Sequence, residues 1–332
     1  MRKHGVDLLG SLSLLASLLC WATVPLFLRS FIHEIDGWTA NGVRYPLSAL
    51  IWLGPLLYFH RQGYVKRVYL KWALLPSAIN IAGQSLWAWS PYYLEPAMMT
   101  FLVRISSLSA ILGSLLLFRD EARLFRSAFF WAGLGACLVG FLGLTFLGKE
   151  IPHGSTITGI ILITICGVFW GYYGVTVRWA MEGVHVLISF PIICVYTSIG
   201  TFVLMLMFGE PSRLLDMHAH RLLLLALSAV IGIAVAHIFF YKAIERLGVS
   251  ISTGCQLLSP FVTAVGSYYI FREILTVGQW SSGTILLAGC GLLLYAQQRL
   301  HVVVHRGHAK ETAPGSGSPE AVSPKADPNN SG

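Results

Sequence analysis

Long apolar runs separated by short polar connectors dominate the chain. Because a helix rises ~1.5 Å per residue and the hydrocarbon core of a bilayer is ~30 Å thick, about 20 apolar residues suffice to cross a membrane. Ten runs meet or approach this length, at residues 8–28, 39–59, 71–91, 96–118, 128–147, 157–177, 186–208, 221–241, 249–271 and 277–297. The pattern predicts an all-α integral membrane protein with ten transmembrane helices.

The distribution of lysine and arginine predicts the orientation of these spans. Of the 23 basic residues, 16 fall on the side of the N-terminus, 5 fall on the opposite side, and 2 lie within spans. Basic residues concentrate in cytoplasmic connectors, so we expect both termini to be cytoplasmic. The run from Leu8 to Leu28 is too long for the apolar part of a signal peptide, and we interpret it as the first span.

Composition supports a lipid environment and excludes several classes of function. Hydrophobic residues make up 55% of the chain and charged residues only 11%, against roughly a quarter charged in soluble proteins. The net charge of +8 is scattered between apolar runs, which argues against nucleic acid as a partner. The six cysteines lie inside apolar runs without a CxxC pair or neighbouring ligands, so we predict neither a metal nor a cofactor.

The second half of the chain repeats features of the first half in the same order. Trp21 in the first span and Trp170 in the sixth are each followed eight residues later by an arginine. A longer match pairs residues 107–121 with residues 259–273, and each segment ends near an arginine followed by an acid. These matches predict two copies of one five-span unit.

An odd number of spans in each copy places the second copy upside down relative to the first. Inverted repeats are a transporter architecture, because their pseudo-twofold axis relates conformations that open to opposite sides of the membrane. We therefore divide the 332 residues into four parts. These are a cytoplasmic N-terminus at 1–7, a first repeat at 8–148, a second repeat at 149–298, and a disordered cytoplasmic tail at 299–332.

Several segments resemble those of a known transporter family. They are WATVPLFLR at 21–29, NGVRYPLSAL at 41–50 and IFFYKAIERLGVSISTGCQLLSPF at 238–261. Together they resemble the drug/metabolite transporter superfamily and, within it, the EamA family, whose members carry two five-helix EamA units. The resemblance implies this fold and a transport function. The two copies differ at one position where the family often has a proline, which is Pro260 in the second copy and Leu108 in the first.

Two arginines inside the predicted spans are candidates for substrate binding. A charge at the centre of a bilayer costs at least ~2.5 kcal/mol on insertion scales, so such groups usually face the protein interior and have a function. Arg104 is nearly central in the fourth span, and Arg44 lies nearer one end of the second. Arg104 could instead be held structurally, with Glu95 as a partner, and Arg44 could extend to the headgroups. No acid lies deep in any span, which favours an anionic or zwitterionic solute.

Other polar and aromatic residues complete the predicted site. Asn80, Gln84 and Trp87 share one helical face and could line a cavity, although hydrogen bonds between helices explain the two amides equally well. The repeat places Gln256 opposite Arg104. His237 could carry a coupling proton or serve as a structural donor.

These features predict a secondary transporter that exports or exchanges a small polar metabolite, such as an amino acid, by alternating access. The alternatives are a lipid flippase of the same architecture and a membrane-embedded enzyme. We do not expect an enzyme, because the chain has no H-E-x-x-H motif, no G-x-S-x-G motif and no paired buried carboxylates. It also has no P-loop, which argues against transport driven by ATP. The expected location is the cell (inner) membrane, with the solute and the bilayer as partners and a homodimer left open.

Overall fold

The computed structural model describes residues 7–117, 124–148 and 154–311, and this part of the chain is helical without any strand. A 3-10 turn covers Ser90–Tyr92, and a π-helical segment covers Val230–Val235. The α-helices are, in chain order, α1 (Leu8–Ser30), α2 (Gly37–Arg61), α3 (Arg67–Trp72), α4 (Leu74–Trp89), α5 (Pro96–Leu102), α6 (Ile105–Leu117), α7 (Ala128–Phe146), α8 (Ser155–Ala180), α9 (Val186–Phe208), α10 (Arg213–Asp216), α11 (Ala219–Ala229), α12 (Ala236–Leu247), α13 (Val249–Gln256), α14 (Ser259–Phe271) and α15 (Val277–Glu311).

All ten predicted runs lie on this helical structure. Within the described residues, seven helical stretches are long and apolar enough to cross a membrane, with α5–α6 counted as one stretch and α11–α12 as another. The remaining three runs lie on α2, α4 and α13–α14, which are shorter or more polar. The structure therefore agrees with a polytopic membrane protein, and the count of ten spans stays a prediction.

Large apolar side chains cover the outside of the molecule. Leu116 is 73% exposed, Leu206 61% and Tyr269 70%, and many more leucine, isoleucine and phenylalanine residues are at least 37% exposed. A soluble monomer rarely exposes contiguous apolar surface on this scale. These side chains therefore face lipid, while serines and threonines are buried between the helices, where their hydroxyls return to helix carbonyls, as Ser17 does to Leu14.

The most extensive contacts between helices join the two halves of the chain to each other. Helix α2 packs on α9, α7 packs on α15, α1 packs on α12 and α14, and α8 packs on α4 and α6. If each helix is replaced by its counterpart in the other half, every contact in this set becomes another contact of the same set. This is expected when two copies of one unit are related by a twofold axis. The core is thus shared between the repeats.

The last helix differs from the sequence-based prediction. Helix α15 continues to Glu311, so residues 299–311, which were predicted to begin a disordered tail, are helical. Extending a formed helix costs little compared with nucleating one, and no proline lies between the start of α15 at Val277 and Pro314. The end of the predicted tail, the start of the N-terminal segment and the boundary near residue 149 lie outside the described residues.

Candidate functional site

Two helices of the core are interrupted near the middle of their length. The first is broken at Val103–Arg104, between α5 and α6, and the second at Leu257–Leu258, between α13 and α14. Pro260, at the start of α14, lacks the N–H that would continue the second helix. The first helix is broken at the corresponding place although Leu108 stands where the family often has proline. Both copies therefore share the interruption.

A central cavity of about 320 Å³ lies beside both interruptions. This volume is at the lower end of the usual range for small-molecule sites. The lining residues come from both halves of the chain, so neither repeat could form the site alone. They are Trp21, Val24, Arg44, Tyr45, Asn80, Gln84, Trp87, Thr100, Val103, Arg104, Ser106, Trp170, Tyr173, Phe190, Ile193, Cys194, Gly232, Ile233, His237 and Ser259.

Arg104 occupies the interruption itself and lines the cavity. Its Nη2 atom donates a hydrogen bond to the hydroxyl of Ser259, the first residue of α14. Its Nε–H is buried and has no acceptor among the residues that the structure describes. The expected alternative partner is engaged elsewhere, because Glu95 forms an ion pair with Arg29. Arg104 therefore contributes a positive charge with an unused donor.

Arg44 also lines the cavity but is held much more completely. Only 2% of the residue is exposed. Its Nε donates to Ser228 Oγ over 3.0 Å, and Nη1 donates to Asn41 Oδ1 over 3.4 Å. Nη2 lies 3.5 Å from the carbonyl oxygen of Ser228. Arg44 does not reach toward headgroups as one alternative proposed, and it contributes mainly its charge to the cavity.

The charge of the cavity is positive and unbalanced. None of the described lining residues is aspartate or glutamate, and neither Arg44 nor Arg104 is in an ion pair within the described part of the chain. An uncompensated buried charge is strongly unfavourable. The arrangement therefore favours occupation by an anion.

His237 lies in the cavity wall in a fixed orientation. Its ring stacks on Phe190 at 4.1 Å between centroids and meets Trp21 edge-on at 5.1 Å. Its Nδ1 lies 2.7 Å from the carbonyl oxygen of Ile233. Because a carbonyl only accepts, Nδ1 carries the proton, which leaves Nε2 of the neutral ring as an acceptor.

Asn80 and Gln84 line the cavity and also connect helices. Asn80 Nδ2 donates to Thr197 Oγ1 over 3.0 Å, linking α4 to α9. Gln84 Nε2 lies 3.5 Å from Asn80 Oδ1. Trp87 lies on the same helix, and the centroid of its ring lies 5.0 Å from that of Trp170. The structural alternative thus describes Asn80 well, whereas Gln84 is less buried than either Asn80 or Trp87.

Gln256 lies outside the cavity. It is buried, and its Nε2 donates to Ser17 Oγ on α1 over 2.8 Å. Each residue along a helix turns the side chain by about 100°, so a small difference in register between the copies changes which helix a residue faces. The sequence offset that pairs Gln256 with Arg104 therefore did not identify a second side chain in the cavity.

Sequence reasoning missed several aromatic residues of the cavity. Trp21 and Trp170 both line it, and their matching positions in the repeat were the signal that could have identified them. Trp21 Nε1 donates to the carbonyl oxygen of Gly232 over 3.2 Å, in the π-helical segment.

The π-helical segment Val230–Val235 has no counterpart in α4, the corresponding helix of the first repeat, which is regular. π-helical turns often occur at functional sites because they free backbone groups for other partners.

A carboxylate outside the spans ties the halves together at the start of α5. Glu273 accepts hydrogen bonds from the backbone N–H groups of Ala97 and Met98 over 2.8 and 3.1 Å. It also accepts one from the hydroxyl of Ser267. Burial raises the pKa of Glu273, and these three donors partly offset the increase. The contact fixes the second half against the helix that leads to Arg104.

Comparisons with known proteins agree with this architecture. The sequence profile of the EamA-like transporter family matches residues 8–146 and 157–295. No curated protein matches the chain. A crystal structure, described only as that of a protein, superposes with a TM-score of 0.59 at 14% identity, covering 88% of this chain and 98% of the other. At this identity the likeness shows the fold alone.

Proposed function

The chain belongs to the EamA-like transporter family, and on this basis we propose that it carries a small anionic metabolite across the membrane. The observation that supports the proposal is the central cavity, in which two guanidinium groups meet no carboxylate among the described residues. A carboxylate on the solute would neutralise this charge, and a guanidinium group can bind it with two hydrogen bonds. An amino acid would also fit, since its ammonium group could rest against the aromatic walls.

We propose that transport proceeds by alternating access between inverted repeats. This proposal includes ten spans with cytoplasmic termini, a first repeat at 8–148 and a second at 149–298. The repeats hold unequal conformations, because the second contains the π-helical segment Val230–Val235 where the first has the regular helix α4. Two unequal copies of one unit can exchange conformations and so expose the cavity to the opposite side.

The direction and setting of transport follow from the same proposal. Both termini in the cytoplasm and many basic residues on that side suit the inner membrane of a cell. We propose export or exchange, without a resident cofactor. The residues that line the cavity belong to one chain, so the proposed transport needs no second copy. A homodimer is compatible with this proposal.

Binding of simple carboxylates to the purified protein tests the proposal. Succinate, benzoate and phenylalanine represent a dianion, an aromatic monoanion and a zwitterion, and the amide of each replaces the carboxylate with a neutral group. We expect at least one carboxylate to raise Tm in a concentration-dependent way. At a concentration of 100 times its Kd, the ligand should increase the free energy of unfolding by about 2.7 kcal/mol. Its amide should have little effect.

Two results would contradict the proposal. Equal stabilisation by the carboxylate and its amide would show that the positive charge does not select the ligand. Stabilisation by phosphatidylglycerol with none by any of the three carboxylates would indicate a lipid flippase instead.

A further inference from the structure

Four exposed basic side chains lie in the segment 61–72, which joins α2 to α4 and contains the short helix α3. They are Arg61, Lys66, Arg67 and Lys71. None of them forms an ion pair within the described part of the chain, and residues 37–94 contain no aspartate or glutamate. The segment therefore carries four positive charges that the neighbouring sequence does not neutralise.

Apolar contacts determine which face of α3 is turned toward the protein. Val65 and Tyr69 pack against a buried cluster that includes the start of α9. Glu182 precedes α9, is exposed, and forms no ion pair with the basic residues of the segment. Arg67 and Lys71 each lie two residues from Tyr69, which is about 200° of rotation on a helix, so both lie on the opposite face. One turn apart, these two cations are neighbours and repel each other, and a bound anion would relieve the repulsion.

The surface on either side of the segment shows its depth in the membrane. Leu57 on α2 is 45% exposed and Leu74 on α4 is 56% exposed, as expected of side chains that face lipid. Within the segment, Tyr64 is 62% exposed and Trp72 is 43% exposed. Exposed tyrosine and tryptophan concentrate at the level of the lipid headgroups. The four cations therefore lie where the lipid tails end and the headgroup phosphates begin.

We propose that the segment 61–72 binds the phosphate groups of anionic phospholipids, with Arg67 and Lys71 as the principal contacts. A guanidinium group forms two hydrogen bonds with a phosphate, and an ammonium group adds a compact charge. Clusters of about four or more basic residues beside a membrane span are typical of such sites. The apolar surface on both sides of the segment brings lipid headgroups against it, which favours a lipid over a soluble anion. None of the four basic residues lines the central cavity, so this inference is independent of the proposed function.

Titration of the purified protein with lipid in a neutral detergent tests the proposal. Phosphatidylglycerol is compared with phosphatidylcholine of the same acyl chains, and Tm is followed at low and at high salt. We expect phosphatidylglycerol to raise Tm more, and the difference to shrink at high salt because ions screen exposed charges. Each basic residue near an anionic membrane surface increases affinity about fivefold, so the double variant Arg67→Gln/Lys71→Gln should bind phosphatidylglycerol about 30-fold more weakly.

Lys242 and Arg246 on α12 offer a matched control. Each side chain is 39% exposed and has an acidic partner, which is Glu245 at 2.9 Å for Lys242 and Asp7 at 3.4 Å for Arg246. The double variant Lys242→Gln/Arg246→Gln therefore removes the same charge from positions that are already neutralised, and it should bind phosphatidylglycerol like the wild-type protein. An equal loss of affinity in this control would mean that net charge, and not the segment 61–72, attracts the lipid.

Other results would also overturn the inference. Equal stabilisation by the two lipids, or wild-type affinity in Arg67→Gln/Lys71→Gln, would show that these cations do not select the headgroup. Equal stabilisation by glycerol phosphate, which has a phosphate but no acyl chains, would show that the segment binds a soluble anion. If Arg104→Leu weakens the binding of phosphatidylglycerol and Arg67→Gln/Lys71→Gln does not, the lipid occupies the central cavity, as expected of a flippase.

Discussion

The variant Arg104→Leu should lose the binding of carboxylates and yet be at least as stable as the wild-type protein when empty. Arg104 has one protein acceptor, Ser259, and no ion-pair partner in the described part of the chain. An uncompensated buried charge is strongly unfavourable, so replacing it with an apolar side chain should not lower the stability of the empty protein. Losing a charge-assisted contact should raise the Kd of the ligand at least about 100-fold. Thermal unfolding with and without ligand measures both effects.

A surface arginine provides the control for this substitution. Arg213 is 51% exposed and pairs only with its neighbour Glu210, so Arg213→Leu should change neither the stability nor the affinity measurably. If Arg104→Leu instead lowers Tm and leaves the ligand-induced shift intact, Arg104 has a structural role.

The variant Gly140→Ala should destabilise the protein by about 1–3 kcal/mol through overpacking. Helices α7 and α15 approach so closely that a Cβ on Gly140 would lie 2.5 Å from the backbone nitrogen of Leu286 and 2.7 Å from its Cα. Backbone atoms cannot rotate away, so the helices must separate. Because this contact joins the two repeats, its loss should lower the Tm of the purified protein.

Gly135 lies on the same helix and provides the matched comparison. A Cβ there would meet nothing within 4 Å, so Gly135→Ala should be neutral, or stabilising by up to about 1 kcal/mol because alanine favours helix. Equal Tm values for the two alanine variants would mean that α7 and α15 do not pack as described.

Much of the fold follows from the apolar pattern. Each predicted run lies on helical structure because a backbone surrounded by lipid must satisfy its hydrogen bonds internally. The candidate residues Arg44, Arg104 and His237 line the cavity because polar groups in an apolar chain avoid lipid. The cost of burying charge therefore allowed these positions to be predicted from one sequence.

Other features depend on contacts that no local pattern encodes. The break before Ile105 contains neither proline nor glycine, and it forms where α6 meets α8 and α14 meets α5. Whether Gln256 faces the cavity or α1 depends on the rotation of α13, which packing decides. Trp170 looks like any interfacial tryptophan in the sequence, and only the packing of α8 against α4 and α6 shows that it lines the cavity.

Counterflow in proteoliposomes measures the central claim directly. Vesicles with purified protein are loaded with the unlabelled carboxylate that stabilises the protein best, and uptake of the same labelled compound is followed at pH 7.5 against protein-free vesicles. The account predicts rapid, transient accumulation with the wild-type protein and the level of protein-free vesicles with Arg104→Leu. Uptake by Arg104→Leu at the wild-type rate would contradict it.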